Sequence, residues 1–241
     1  MEQFIVKPLF GDGGDVGTLT ITNAALWMLL SVAAVAALTI WGTRGRALVP
    51  SRIQSVAELM YGFVRNMVEE VAGKGSMAYF PYIFTLFAFI LGANMLSMIP
   101  MSFAPTAHFA ITVPLALAVF ISVTAIGFIK HGIGFLGFFW PKEAPGWLRP
   151  FLCLVEIFSY FTRPVSHSIR LGANILAGHA VLKVFAGLFA MMVFGGLGAL
   201  AVLPLAMMVA MTALEVLVAF LQAYVFAILT CVYLHDALHM H

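Results

Sequence analysis

Ionisable side chains stand inside long apolar stretches in the C-terminal third of this sequence, where they could carry acid–base chemistry. Glu156, Arg163 and Arg170 recur at intervals of seven residues, so they lie within about 40° of one another on a helix. His179 and Glu215 add a base and an acid. Imidazole and carboxylate groups exchange protons, whereas a guanidinium keeps its charge and binds carboxylates. Charges at bilayer depth are costly, so the pattern indicates a pathway or a paired site.

The surface around Arg170 is small or polar, because Ala173, Asn174 and Ala177 follow it at helical spacing. The nearest acid on the same face is Glu156, about 21 Å away along a helix axis. A buried guanidinium without a carboxylate is costly. We therefore predict that the missing carboxylate belongs to another protein chain.

Glu215 and Gln222 are also seven residues apart, hence on one face and roughly 10 Å from each other. A glycine-rich turn at 195–198 separates their segment from the preceding one. Counting from this turn in an antiparallel hairpin sets Gln222 level with Arg170 and Glu215 level with His179. Arg170 and His179 are about 180° apart on a straight helix, so a bend near Gly172 or Gly178, or water filling the gap, is predicted between them.

Each of these residues also has a structural interpretation. Arg163 and Lys183 could extend to the membrane surface or pair locally. Asn174 and Gln222 could be interhelical hydrogen-bond partners. Glu156 could cap or solvate a surface helix. For each of these residues, the functional and the structural interpretation both stay open.

The elements that carry these residues belong to an all-α integral membrane protein. The chain has 241 residues, 63% hydrophobic and 9% charged, with a mean hydropathy of +1.05. Long apolar runs indicate helices in lipid and exclude soluble hydrolases, Rossmann enzymes and zinc-finger proteins. A net charge of +2 without a basic block excludes nucleic acid as a partner.

We predict a single membrane domain over residues 1–241. One transmembrane helix comes first, then an amphipathic surface helix that Ser51 caps, a transmembrane hairpin, and two long tilted helices. Charges and glycines make 130–150 a loop, and the positive-inside rule places the N-terminus outside. The predicted ranges are 1–23 (outer-side N-terminus), 24–41 (first span), 51–72 (surface helix), 79–129 (hairpin) and 151–235 (long hairpin lining the proton path).

The two long apolar stretches, 151–194 and 199–234, exceed the thickness of a bilayer. As helices they would be about 66 and 54 Å long against a core of ~30 Å. They must be tilted or bent, with Pro164 and Pro204 as candidate bend points. Oblique helices need a neighbour to shield their polar groups, which again indicates a partner.

Residues 163–179, RPVSHSIRLGANILAGH, and 220–226, FLQAYVF, which follows Glu215, closely resemble the two signature stretches of subunit a of the rotary F-type ATP synthase. The layout of the preceding helices resembles that family too. The resemblance implies a stator that lies against a ring of c subunits, each with one membrane carboxylate, and conducts protons through two offset half-channels. It implies as further partners the peripheral-stalk b subunits, the remainder of the ATP synthase complex and the lipid bilayer.

The resemblance also implies residue roles. Arg170 matches the essential arginine that faces the ring carboxylates and prevents a proton leak between the half-channels. His179 and Glu215 match the polar pair of the outer channel, with Asn174 and Gln222 adjacent to it. The inner channel is implied at Glu156.

The polar pair has its histidine, His179, on the first long helix and its acid, Glu215, on the second. This order and the ending at 233–236 resemble the mitochondrial and alphaproteobacterial branch. With a polar N-terminus and no targeting segment, we expect a bacterial inner (plasma) membrane, with the mitochondrial inner membrane as the alternative. A stand-alone proton-coupled secondary transporter is the alternative function, but it predicts repeated halves with broken helices, and no internal repeat is present.

No cofactor is expected. The glycine-rich residues 11–14 precede no phosphate-binding signature, so we expect an enzyme only in the sense of a membrane subunit of the proton-translocating ATP synthase, without a nucleotide site of its own. His235, His239 and His241 near the C-terminus lack an arranged third ligand, so no metal site is expected.

Overall fold

The computed structural model describes residues 22–44, 50–99, 102–140, 148–196 and 198–238. Their regular elements are all helical, which confirms the all-α class, and five helical segments are long and apolar enough to cross a membrane. Nearly all of the expected outer-side N-terminus, together with His239 and His241, lies outside the described residues. The long helices are α1 (Asn23–Arg44), α2 (Arg52–Val71), α3 (Phe80–Ser97), α4 (Phe109–His131), α5 (Arg149–Phe194) and α6 (Val202–Leu238).

The amphipathic helix α2 begins where its sequence predicts. The Ser51 side chain accepts a hydrogen bond from the backbone N–H of Gln54 at 3.3 Å, which satisfies one of the free donors of the first turn. Val64, Met67 and Val68 are buried on one side of α2. The apolar residues nearer its start remain exposed, as expected for a helix at a membrane surface.

The hairpin of α3 and α4 turns through a short 3-10 helix, Pro105–Ala107. A second 3-10 helix, Gly132–Phe139, follows α4 directly. The prediction of a loop over 130–150 is therefore wrong for these eight residues. Phe135 is buried against Gly127, whose lack of a side chain leaves room for the ring, and this contact folds the segment back along α4.

Two long helices, α5 and α6, form the long hairpin. The helix α5 runs for 46 residues without interruption through Pro164, which corresponds to about 69 Å. In α6, which starts at Val202, Pro204 lies in the first turn, where a missing N–H costs little. Gly196 in the turn has φ +77°, a left-handed conformation that favours glycine.

The core lies where α6 packs against α3 and α2. Ile83 and Phe87 of α3 meet Phe226 and Leu234 of α6, all of them buried. In contrast, α5 presents an apolar face that is largely exposed. Its members share a helical stripe and are exposed: Phe151, Leu154, Phe158, Phe161, Val165, Ile169 and Leu176.

Candidate proton-transfer site

The structure brings His179 and Glu215 together at the level that the hairpin register predicts. The Nδ1 atom of His179 on α5 lies 3.5 Å from Oε1 of Glu215 on α6. Both residues are buried, with exposed fractions of 8% and 6%. Removal from water strengthens electrostatic interactions between two groups at this distance.

A glycine that sequence reasoning treated only as a bend point allows this approach. A Cβ atom at Gly178 would lie 2.8 Å from Oε1 of Glu215 and 3.3 Å from its Cδ. Ordinary contacts begin near 3.4 Å, so any side chain here would displace the carboxylate. The only sequence signal was a glycine next to a histidine in an apolar helix.

Asn174 and Gln222 form the second contact between the two long helices. The Nδ2 amide of Asn174 donates to Oε1 of Gln222 at 3.0 Å, which agrees with their interpretation as interhelical partners. The register is one turn different from expectation, because Gln222 pairs with Asn174 and not at the level of Arg170. Both polar side chains thereby have a hydrogen-bond partner within the membrane.

A cavity of about 240 Å³ connects these two contacts. Asn174 and Glu215 supply its polar groups, and Val181, Met211 and Leu214 supply much of its apolar wall. A cavity of this size can hold several water molecules, and water requires polar partners of the kind found here. The arrangement can pass a proton between the cavity and the buried carboxylate.

Arg170 is half-buried, on the side of α5 that also carries Arg163, Ala173 and Ala177. Its Nη2 donates to the Ser166 hydroxyl, one turn away, at 3.4 Å. Within the described residues, no carboxylate lies within salt-bridge distance of its guanidinium. This agrees with the expectation that its carboxylate partner is not part of this chain.

Arg163, in contrast, has a carboxylate partner on the other long helix, which corrects the expectation that it pairs locally or extends to the surface. Its Nη1 lies 3.3 Å from Oδ2 of Asp236. Its guanidinium also lies 5.4 Å from the ring centre of Tyr160 and 4.7 Å from that of Tyr233. Two aromatic faces and a carboxylate therefore surround this charge.

The α5 residues that contact α6 lie on different sides of α5 along its length: Arg163, then Asn174, then His179. Such displacement is what an obliquely crossing pair of helices produces. The helix α5 continues without interruption through Gly172 and Gly178, and the bend between Arg170 and His179 stays a prediction.

Glu156 lies apart from the other candidate residues. It is partly exposed in the third turn of α5, too far from the helix start to act as its cap. The rise of a helix places it about 21 Å from Arg170. The structure therefore separates Glu156 from the His179–Glu215 pair, with Arg170 between them along α5.

Sequence reasoning missed a buried polar contact behind α6. The Asn94 side chain, fully buried in α3, donates to the Ala219 carbonyl of α6 at 3.3 Å. The Thr106 hydroxyl donates to Oδ1 of Asn94 at 2.9 Å. Ala219 lies between Glu215 and Gln222, so this contact holds α6 at the site. An asparagine within an apolar span was the available signal.

Taken together, the fold and the site define a polytopic helical membrane protein with proton-exchanging groups buried between its two longest helices. Arg170, on the longer of these helices, has no carboxylate within salt-bridge distance among the described residues. Ionisable groups inside membrane helices are typical of proteins that translocate protons, as the sequence analysis expected.

Comparison with known proteins identifies the family. The sequence matches the ATP synthase A chain family over residues 25–235, and the chain belongs to this family. It is 65% identical over 241 residues to ATP synthase subunit a of Dinoroseobacter shibae, covering 100% of this chain and 94% of the relative. It is 61% identical over 239 residues to ATP synthase subunit a of Paracoccus denitrificans, covering 99% and 94%.

The similarity extends to ATP synthase subunit a of Rhodobacter capsulatus, which is 59% identical over 223 residues, or 90% of this chain and 92% of the relative. The chain is thus a proton-translocating stator subunit in the membrane sector of the ATP synthase complex. A stand-alone secondary transporter is not favoured.

Proposed function

We propose that this chain conducts protons through two half-channels that meet the carboxylates of a c ring on either side of Arg170. The observation that carries the proposal is the half-buried Arg170 guanidinium, which has no carboxylate of this chain within salt-bridge distance among the described residues. A ring carboxylate that passes this position loses its proton and is stabilised by the fixed positive charge. The charge also repels protons, which prevents a direct leak.

The outer half-channel supplies protons through the cavity between α5 and α6. Asn174 and Gln222 border its path, and the His179–Glu215 pair accepts the proton from water and passes it to a ring carboxylate. The support is the 3.5 Å approach of the two buried groups and the cavity beside Glu215. A coupled acid–base pair can hold or release one proton at low cost, because its partner compensates the change in charge.

The inner half-channel removes protons near Glu156, on the opposite side of Arg170 along α5. The separation of about 21 Å keeps the two routes apart, so that a proton must travel on the ring to get from one to the other. Each elementary charge crossing the membrane releases about 2.3 kcal/mol per 100 mV. Summed over several protons, this drives ring rotation and ATP formation outside this chain.

The side of α5 that carries Arg163, Arg170, Ala173 and Ala177 is the proposed contact with the c ring, and peripheral-stalk b subunits are proposed as further neighbours. We also propose that the complex lies in a bacterial inner membrane, since the relatives named above are from bacteria. Catalysis of ATP formation belongs to other subunits, and this chain contributes the proton path.

Substitution of Arg170 tests the function. In assembled complexes, Arg170→Ala should abolish ATP synthesis and ATP-driven proton pumping, because no fixed charge separates the half-channels. Ser166→Ala is the matched control, since it removes the hydrogen bond at 3.4 Å but keeps the charge, and should retain most activity. Wild-type rates of synthesis and pumping in assembled Arg170→Ala vesicles would refute the proposal.

Cross-linking tests the ring contact. Cysteines at Ala173 or Ala177, beside Arg170, should form disulfides with cysteines on the ring-protein helix under mild oxidation. A cysteine at Ala88, buried inside this chain, is the control and should form none. Equal cross-linking at all three positions would contradict docking through this face of α5.

A further inference from the structure

A second cavity, of about 590 Å³, lies far from the proton path, between the end of α1, the surface helix α2 and α3. Thr39, Gly42 and Thr43 line it from α1, and Phe84 lines it from α3. It exceeds the cavity beside Glu215 in volume and belongs to no part of the proposed mechanism.

The cavity lies at the level of lipid headgroups. With 22 residues, α1 is about 33 Å long and just spans a ~30 Å hydrocarbon core. Its last turn, with Gly42 and Thr43, is therefore at the membrane boundary. The surface helix α2 lies at the same boundary, and Ala57 contacts α1 closely at Gly42, where a Cβ atom would be only 2.7 Å from that of Ala57.

The walls of the cavity are mainly apolar, but α2 contributes a carboxylate, Glu58. The Nε2 amide of the buried Gln54 donates to Oε1 of Glu58 at 2.8 Å, which orients the carboxylate without neutralising it. The cavity thus combines an apolar interior with an oriented anion.

This combination matches a zwitterionic phospholipid with a primary amine. We propose that the cavity binds phosphatidylethanolamine, with an acyl chain between α1 and α3 and its ammonium on Glu58. An ammonium has three N–H donors for a carboxylate, whereas a quaternary choline has none and a glycerol headgroup has no positive charge. Bound in this way, the lipid joins α1 to α2.

Photo-labelling of the intact ATP synthase tests the proposal. The complex is reconstituted in nanodiscs that contain phosphatidylethanolamine, phosphatidylcholine or phosphatidylglycerol with a diazirine in the acyl chain, irradiated, digested and analysed by mass spectrometry. Phosphatidylethanolamine should label the peptides covering 39–43 and 54–61 in preference to the other two lipids. Glu58→Gln should reduce this preference by about two- to five-fold, the range for an ion pair at a partly exposed site.

Two further variants provide controls. Glu70→Gln removes an exposed charge of α2 that does not line the cavity and should leave the labelling unchanged. Thr39→Phe fills the cavity and should reduce labelling by all three lipids, with yield of the complex as the check on assembly. Equal labelling by the three lipids, no effect of Glu58→Gln, or adducts with a neighbouring subunit in place of lipid would overturn the proposal.

Discussion

Replacement of Gly178 by alanine tests whether the geometry of the His179–Glu215 pair controls proton entry. The new Cβ atom would lie 2.8 Å from Oε1 of Glu215, whereas ordinary contact begins at 3.4 Å. The carboxylate must therefore retreat by about 0.6 Å, and overpacking of a buried site costs about 1–3 kcal/mol.

The displacement sets the expected size of the effect. Because a misplacement of 1 Å in reacting groups can cost about 100-fold in rate, a shift of this size should slow proton transfer by about ten-fold. The assay is passive proton conduction through the membrane sector after removal of the soluble part, in vesicles with a fixed potential. ATP synthesis should fall in parallel, while assembly is retained.

Gly187→Ala is the matched control on the same helix, because a Cβ atom there has nothing within 4 Å. It should leave conduction unchanged and stabilise α5 by about 0.5–1 kcal/mol. The double variant Gly178→Ala with Glu215→Asp adds a sharper test, since the shorter acid withdraws from the new methyl group. It should conduct no more slowly than Glu215→Asp alone. Additive losses in the double variant, or normal conduction by Gly178→Ala, would show that carboxylate position does not control the rate.

Three further substitutions probe the surroundings of the site. Exchanging the pair, as His179→Glu with Glu215→His, should recover part of the conduction lost in either single variant, and a double variant no better than the worse single would contradict a functional pair. Asn94→Ala leaves the buried Thr106 hydroxyl without its acceptor and should destabilise the protein by about 1–3 kcal/mol, measured as the thermal unfolding of the purified membrane sector. Asp236→Asn should lower stability and activity because Arg163 loses its carboxylate, whereas Arg163→Gln combined with Asp236→Asn should be milder. Equal effects of the single and double variants would exclude a net ion-pair contribution.

The amino-acid sequence determines much of this protein because the bilayer imposes strict conditions. A backbone in lipid must satisfy its hydrogen bonds internally, so apolar runs alone specify five membrane helices. The cap at Ser51 follows from local chemistry, because a hydroxyl next to the first turn can accept from a free backbone N–H. Charged residues inside apolar helices are costly and few, so Arg170, His179 and Glu215 stand out by residue type and position alone.

Only the tertiary structure decided which of these residues meet and how closely. Counting residues from the turn placed Glu215 at the level of His179, because register depends on sequence distance alone. It misplaced Gln222 by one turn, because the crossing angle of two helices arises from the packing of their side chains. The same packing brings Gly178 against Glu215, Asn94 to the Ala219 carbonyl and Arg163 to Asp236. Their contacts join positions distant in the sequence, which hydrophobic periodicity cannot relate.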